Sequence, residues 1–500
     1  MTLSWILGLP LIGALLIFLS PRAKSGWWLA LGASLLTFLL SLKFYLNFDA
    51  FDGGFQFGEK LDLGAWLGFH DSLGLDGVSL GFVLLTTFLT PLGVAADLEN
   101  RRVRDKGFYA CLLLLESAAL CAFAADDLFL FFLSWESVLV ALFYLFRFFG
   151  LARRVPAVFQ FVFFTMGASL LLLLGLLMLV QHTHTFGYFE IFDQTLPEDL
   201  QFWCFLALTT AFLIQIPIPP FHGWMSDLYA EAPLGGALFL TALFSSLGVY
   251  GLVRYSIPLF PYAAKAFAPV FLFLGLAVII YGSLRAALQT DPRRLAASFG
   301  LSQSGWILLG LFSFSMTGFQ GALLMMLALA VSLAFFFVVL GMVLRRRESR
   351  ELDRFGGWLL RAPRLALAFL AALLCLAAVP GSGEFSGIFL ILISVYKASP
   401  FLGLMAAGTF IFSAWSLILL FQKIFLGPSS GQVKIAYLSM REMFLLLPFF
   451  LVILWIGVSP NSLLQPMEKT VQLNVLQRLN TLPVMTDFAA YQRMLQEQKK

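Results

Sequence analysis

The chain has 500 residues, 60% of them hydrophobic and 12% charged, with a formal net charge of +4. Soluble domains carry about 25% charged residues, so this composition marks a polytopic membrane protein with no hydrophilic block large enough for a soluble catalytic domain. The basic residues sit in short loops between apolar segments, which argues against nucleic acid as a partner.

A membrane span needs about 20 apolar residues. That length predicts an all-α fold of about fourteen spans, near 3–20, 27–46, 76–96, 108–125, 127–147, 157–181, 201–224, 233–254, 267–289, 294–314, 319–344, 364–396, 400–426 and 443–460. The first stretch, Leu3 to Leu19, lacks a basic leader and a small-residue cleavage site, so it reads as a retained span. Cys111, Cys121, Cys204 and Cys375 lie singly in apolar segments, without a CxxC or a Cys/His cluster. They read as small buried hydrophobes, and no metal is expected.

The loops predict the orientation. Those after odd-numbered spans hold Arg22 and Lys24; Arg101, Arg102, Arg104 and Lys106; Arg153 and Arg154; Arg293 and Arg294; Arg345, Arg346, Arg347 and Arg350; and Lys434 and Arg441. The loops after even-numbered spans hold at most a single basic residue each, Lys60, Lys265 or Lys397. Positive charge stays on the cytoplasmic side, so both termini are expected outside the cytoplasm, in a bacterial inner membrane.

Two spans carry breaks. The seventh contains Pro217, Pro219 and Pro220, and the twelfth contains Pro380, Gly381, Gly383 and Gly387. Proline removes an amide donor and clashes with the preceding turn. Such gaps at membrane depth lie against protein or a watery cavity. Spacing five spans apart predicts two five-span repeats, inverted because five is odd. The expected division is 1–107 for spans one to three, 108–256 and 257–428 for the repeats, and 429–500 for the last span and a polar tail.

Buried carboxylates are expensive in hydrocarbon and mark ion paths. Glu136, in LFLFFLSWESVLVALFYLFRFFG, is the one at a recognisable path position; Glu116, in the fourth span, and Glu384, beside the second break, are further candidates. Glu116 is expected to face either Glu136 or a neighbouring subunit.

Five segments together resemble a known family. LGLDGVSLGFVLLTTFLTPLG (73–93) is similar to its third span, and DDLFLFFLSWESVLVALFYLFRFFG (126–150) to its fifth. PIPPFHGWMSDLYAEAPLGGALF (217–239) resembles its HxW break signature. ALQTDPRRLAASFGLSQSGWILLG (287–310) and VPGSGEFSGIF (379–389) resemble its tenth and twelfth spans. The match is collinear over roughly residues 5–460, and the family is that of the antiporter-like membrane subunits of respiratory complex I, closest in pattern to the M subunits of bacterial NADH–quinone oxidoreductase. The polar tail after the last span fits the M rather than the L type.

The resemblance implies a chain of ionisable groups at mid-membrane. Glu136 matches the fifth-span glutamate. The seventh-span lysine falls on Gln215, the eighth-span lysine on Ser246, the tenth-span histidine on Gln303, the eleventh-span histidine near Leu329, and the twelfth-span glutamate on Ile388. Glutamine and serine can hydrogen-bond and support a water wire but cannot take up and release a proton near neutral pH. Glu384, four residues before Ile388, could be a displaced twelfth-span carboxylate or a cap. His222 belongs to the break signature, as a path neighbour or a residue bonded to backbone.

The resemblance also implies no redox cofactor in this chain, quinone bound elsewhere, and other membrane-arm subunits and lipid as partners. Three readings stay open at this point: a working proton channel, a structural spacer that has lost its path, and a subunit of an Mrp-type cation/proton antiporter.

Overall fold

The computed structural model describes residues 3–20, 23–61, 71–96, 105–347, 349, 351–352, 355–426 and 437–480. The loop residues Arg22, Arg101, Arg102, Arg104, Arg350 and Lys434, and the chain beyond Asn480, lie outside the described residues.

In hydrocarbon every backbone amide needs an internal partner, so apolar segments close into helices. The chain begins with α1 (Ser4–Leu19), α2 (Ala23–Leu46), α3 (Gly77–Ala96), α4 (Lys106–Ala124), α5 (Leu128–Phe149) and α6 (Arg154–Thr183). The short α7 (Tyr188–Phe192) leads to α8 (Glu198–Gln215), α9 (Gly223–Glu231), α10 (Leu234–Phe239), α11 (Ser245–Gly251) and α12 (Ile257–Leu259). Next come α13 (Pro261–Ala287), α14 (Pro292–Phe312), α15 (Met316–Arg347), α16 (Pro363–Leu376), α17 (Gly383–Ala398), α18 (Pro400–Phe421) and α19 (Met440–Val458), and the chain closes with α20 (Asn461–Val471) and α21 (Gln477–Asn480).

Among the described residues, ten helices are long and apolar enough to cross a membrane, with α1 and α16 as shorter apolar helices. The stretches expected at 201–224, 233–254 and 364–396 are each built from separate helical pieces. The two proline breaks announce themselves in the sequence. The division of 233–254 does not: α10 and α11 are joined by a π-helical turn at Leu240–Phe244, and a second follows at Leu252–Ser256. A π-turn inserts one residue and re-aims the side chains beyond it, and no proline marks it.

Asp side chains start several helices where the first amides lack partners. Asp105 accepts from Gly107 N–H, Asp127 from Phe129 and Leu130, and Asp291, followed by Pro292, from Arg293. Ser439 and Glu442 form a reciprocal capping box at α19.

Burial sorts the helices. α15 is enclosed along its length and α14 nearly so, while α2, α6, α18 and α19 present wide apolar faces outward. A helix apolar on every side belongs in the centre, and α15 packs against α14, α16, α17 and α19 there.

Two features depart from the expected all-α chain with a plain polar tail. Between α2 and α3 lies an antiparallel pair, β1 (Gln56–Leu61) and β2 (Asp71–Leu75), with Gln56 opposite Leu75. This loop is long enough to pair with itself. The tail folds as α20, which buries Leu463, Met467 and Val471 against α3. A Cβ on Gly77 would sit 1.8 Å from the Pro466 carbonyl oxygen, so only glycine admits this contact, and Gly77 N–H donates to Thr470 Oγ1 at 3.1 Å.

Candidate functional site

α8 stops at Gln215 and α9 starts at Gly223; α16 stops at Leu376 and α17 starts at Gly383. The same backbone bonds close both gaps. In the first, Ile216 donates to Phe212 (2.9 Å), Ile218 to Leu213 (2.9 Å) and Phe221 to Ile218 (2.8 Å). In the second, Ala377 donates to Leu373 (2.8 Å), Val379 to Leu374 (3.2 Å) and Ser382 to Val379 (3.0 Å). Each residue of the second set lies 161 positions after its counterpart, and the same offset pairs Pro219 with Pro380. Because Ile218 reaches back five residues instead of four, the Ile214 carbonyl loses its helical donor. Trp224 Nε1–H takes that place at 3.2 Å, which explains the tryptophan of the break signature.

Gln215, at the end of α8, is buried, and neither atom of its amide has a protein hydrogen-bond partner. α11 crosses this end at Gly248, where an added Cβ would lie 3.3 Å from Gln215 Cβ. Ser246, two residues earlier on α11, is fully buried. Glu116 is 0% exposed on α4, with Leu112, Leu113, Ala119 and Leu120 closing the same stripe. Thr90 of α3 is beside it, and both carboxylate oxygens lack a protein hydrogen bond of ordinary geometry.

Glu136 takes a different position. Its neighbours Leu133 and Val140 are exposed, while Trp135 and Val138 are buried, so Glu136 stands at the rim of α5 with only one oxygen enclosed. Glu116 thus turns inward and Glu136 toward the outer face. His222 is also peripheral. Its Nε2 shares a 2.9 Å hydrogen bond with Tyr281 of α13, and the ring opens on an outer recess with Arg285 and Gln289.

A small cavity of about 30 Å³ connects the two halves. Pro217, Tyr229, Thr241 and Ser245 line it from one half, and Gly300, Ser304 and Leu329 from the other. A buried water needs about 10–15 Å³ of such space and two or more polar partners, so this cavity has room for about two. Leu329, near which the family pattern leads one to expect a histidine, forms part of the wall.

Beyond it, Gln303 is buried with Oε1 unpaired by protein. Glu384, in the first turn of α17, is 0% exposed. Ser332 of α15 is beside it, and both its oxygens lack a protein hydrogen bond of ordinary geometry. Gly383 and Gly387 bring α17 close to α15, for an added Cβ would meet Ala328 at 2.9 Å and Met325 at 2.7 Å. Ile388 is buried one turn on.

Three features have no single-residue signal in the sequence. Ser283, Ser302 and Ser413 join α13, α14 and α18 through hydroxyl contacts of 2.8–3.4 Å, next to Gln303. Ser394 of α17 meets Ser313 and Ser315, each at 2.6 Å, at the turn between α14 and α15. Arg293 reads in the sequence as a loop charge, yet it is buried and caps α9 by donating to the Ala230 and Ala232 carbonyls.

A fourth is an ion pair at the far end of the first half. Arg254 donates to Asp76 at 2.7 Å and lies between the rings of Tyr188 and Phe55, 4.0 and 4.3 Å from their centroids. Burial pushes the nearby Asp126 carboxyl up, and Arg254 and the Ser72 hydroxyl pull it back in part. Among the described residues no three His, Cys, Asp or Glu side chains are grouped to hold a metal ion.

Residues 125–413 match the family model described as NADH:quinone oxidoreductase/Mrp antiporter, TM. The NADH-quinone oxidoreductase subunit M of Rickettsia conorii is 32% identical over 478 residues, 93% of this chain and 96% of that protein. The chain belongs to this antiporter-like family, on its subunit M branch. NADH-ubiquinone oxidoreductase chain 4 of Chondrus crispus is likewise 32% identical, covering 91% of this chain and 94% of its own. Among solved structures, respiratory complex I from Thermus thermophilus contains a chain with a TM-score of 0.86 and 30% identity, over 96% of this chain and all of that one. The Mrp complex from Dietzia sp. DQ12-45-1b gives 0.85 at 18% identity, over 95% of this chain and 98% of that one, a likeness of fold. An antiporter-like module of complex I, subunit M type, accounts for the paired breaks and the fully helical membrane core.

Proposed function

We propose that this chain sits in the membrane arm of a complex I-type NADH–quinone oxidoreductase, beside other membrane subunits, and carries protons along an internal axis rebuilt around Glu116 and Glu384. Electrons and quinone belong to partner subunits. The axis runs from Glu116, Gln215 and Ser246 through the small cavity to Gln303, Ser332 and Glu384, and leaves by the Ser313–Ser315–Ser394 hydroxyls. The basic loops face the cytoplasm and both termini the other side.

The observation that supports this reading is a fully buried carboxylate in each half, without a cationic partner among the described residues. A buried carboxylate without a partner is costly in hydrocarbon, and such residues persist chiefly where they transfer ions. Gln215, Ser246 and Gln303 supply hydrogen-bonding atoms between the two stations without titrating. Glu136, at the rim, is placed to exchange charge with a neighbouring subunit.

The spacer reading draws on one specific observation, the apolar Leu329 and Ile388 at two stations. The purified complex in proteoliposomes separates the two. Glu116→Gln and Glu384→Gln are expected to lower the proton-to-electron ratio while quinone reduction continues. An unchanged ratio in both variants, with the complex intact, leaves the chain as a spacer.

A further inference from the structure

A groove between α2 and α19 runs across the outer face, floored by α3 and α15. It has two apolar chambers of about 420 and 360 Å³, and Phe38 and Phe88 line both. Their ring centroids are 5.9 Å apart, so the two side chains pack against each other where the chambers meet. At one end stand Trp27, Arg345 and Arg441; at the other, Leu46 and Leu463.

We propose that this groove binds an anionic phospholipid, its phosphate at Arg345 and Arg441 and one acyl chain threaded past Phe38 and Phe88. Charge supports the head. Glu442 also lines the mouth, but both its oxygens are taken by Arg346, at 2.7 and 3.0 Å. Of the described residues lining this mouth, Arg345 and Arg441 are exposed guanidinium groups. Basic groups at the end of a membrane helix attract anionic headgroups, and Trp27 marks the interfacial level.

Shape supports the tail. From Arg441 to Ile456 α19 rises about 22 Å, against about 15 Å for one leaflet of the hydrocarbon core. The groove thus holds an extended chain that follows the protein past the midplane. A flexible alkyl chain can follow the groove over these two packed rings from one chamber into the other. Leu35, Leu39 and Phe444 on the flanks are exposed apolar side chains, as a lipid-facing surface requires.

The test is photolabelling of the whole purified complex with phosphatidylglycerol carrying a diazirine in its acyl tail, mapped by mass spectrometry. Label is expected on α2 and α19 along the groove, displaced by unlabelled phosphatidylglycerol and poorly by phosphatidylcholine. Arg345→Gln and Arg441→Gln, both at exposed positions, should each lower it about fivefold. Leu35→Trp, filling the first chamber, should lower it with both arginines present. Equal competition by phosphatidylcholine, no effect of the three variants, or attachment of the groove to a partner subunit's helix in the same complex overturns the proposal.

Discussion

Arg254 Nη1 and Asp76 Oδ2 meet at 2.7 Å, with the side chains 3% and 1% exposed. Asp76 also begins α3, accepting from the Val78 and Ser79 amides, so one carboxylate both caps a helix and neutralises a buried cation. The pair ties the π-turn at Leu252–Ser256 to α3, and the Phe55 and Tyr188 rings close over it.

Removing one member of a buried pair strands a charge, which costs about 3–5 kcal/mol. Asp76→Asn, which keeps a capping side chain, and Arg254→Gln should each destabilise by that amount. The double variant should lose much less than the sum, because neither charge is left alone. Thermal unfolding of the detergent-purified complex checks this; additive losses would show that the two side chains act separately.

Two buried tyrosines in this corner should respond in opposite ways. Tyr250 donates to the Phe123 carbonyl at 3.1 Å, whereas Tyr188 Oη has no hydrogen-bond partner among the described residues. Tyr250→Phe should cost about 0.5–1 kcal/mol. Tyr188→Phe should be neutral or slightly stabilising, since phenylalanine keeps the ring over Arg254 and removes an unpaired hydroxyl. Burial also pushes the Tyr188 phenol from 10.0 to about 12, with Arg254 opposing in part. Its raised value means the folded state holds the proton more tightly, so that stabilisation is complete below pH 10 and lost as pH rises toward about 12. An alkaline unfolding scan should show this loss in the native chain and a smaller one in Tyr188→Phe.

How far the sequence could be read follows the kind of signal each element leaves. Long apolar runs place α2 to α6, α13 to α15, α18 and α19, because hydrocarbon leaves the backbone no other closure. Prolines announce both breaks. The π-turns around Ser246 and Arg254 leave no compositional trace, since they depend on which carbonyl each amide selects. Glu116 and Glu384 are visible as costly residues, but their enclosure depends on the tertiary neighbours Thr90 and Ser332. Glu136, the carboxylate the family pattern places first, stands at the rim, for motif position fixes a place along a helix and not the face it turns.

The crossing of α8 and α11 makes a sharp steric prediction. A Cβ on Gly251 would come within 2.3 Å of the Phe212 ring, and one on Gly248 within 2.9 Å of the Phe212 carbonyl oxygen and 2.7 Å of Ile216 Cγ1. Overpacking of this kind costs about 1–3 kcal/mol, so Gly248→Ala and Gly251→Ala should each lower the unfolding temperature. Gly167→Ala, on α6 with nothing within 4 Å, is the control and should leave it unchanged or raise it. Equal behaviour of all three would mean that the helices do not approach this closely in the membrane.

Glu116 and Glu384 lie in different halves of the chain, on α4 and α17, with the small cavity between those halves. If protons pass both in series, blocking either interrupts the same flow. Glu116→Gln and Glu384→Gln should then each remove this subunit's whole share of pumping, and the double variant should remove no more. Independent structural roles would instead add, since distant sites with no shared partner do so. Ser332→Ala separates stability from transport: Ser332 has a buried hydroxyl without a hydrogen-bond partner among the described residues, so stability should change little while the proton-to-electron ratio falls. Measured proton-to-electron ratios that fall further in the double variant than in either single would rule out a single relay through both carboxylates.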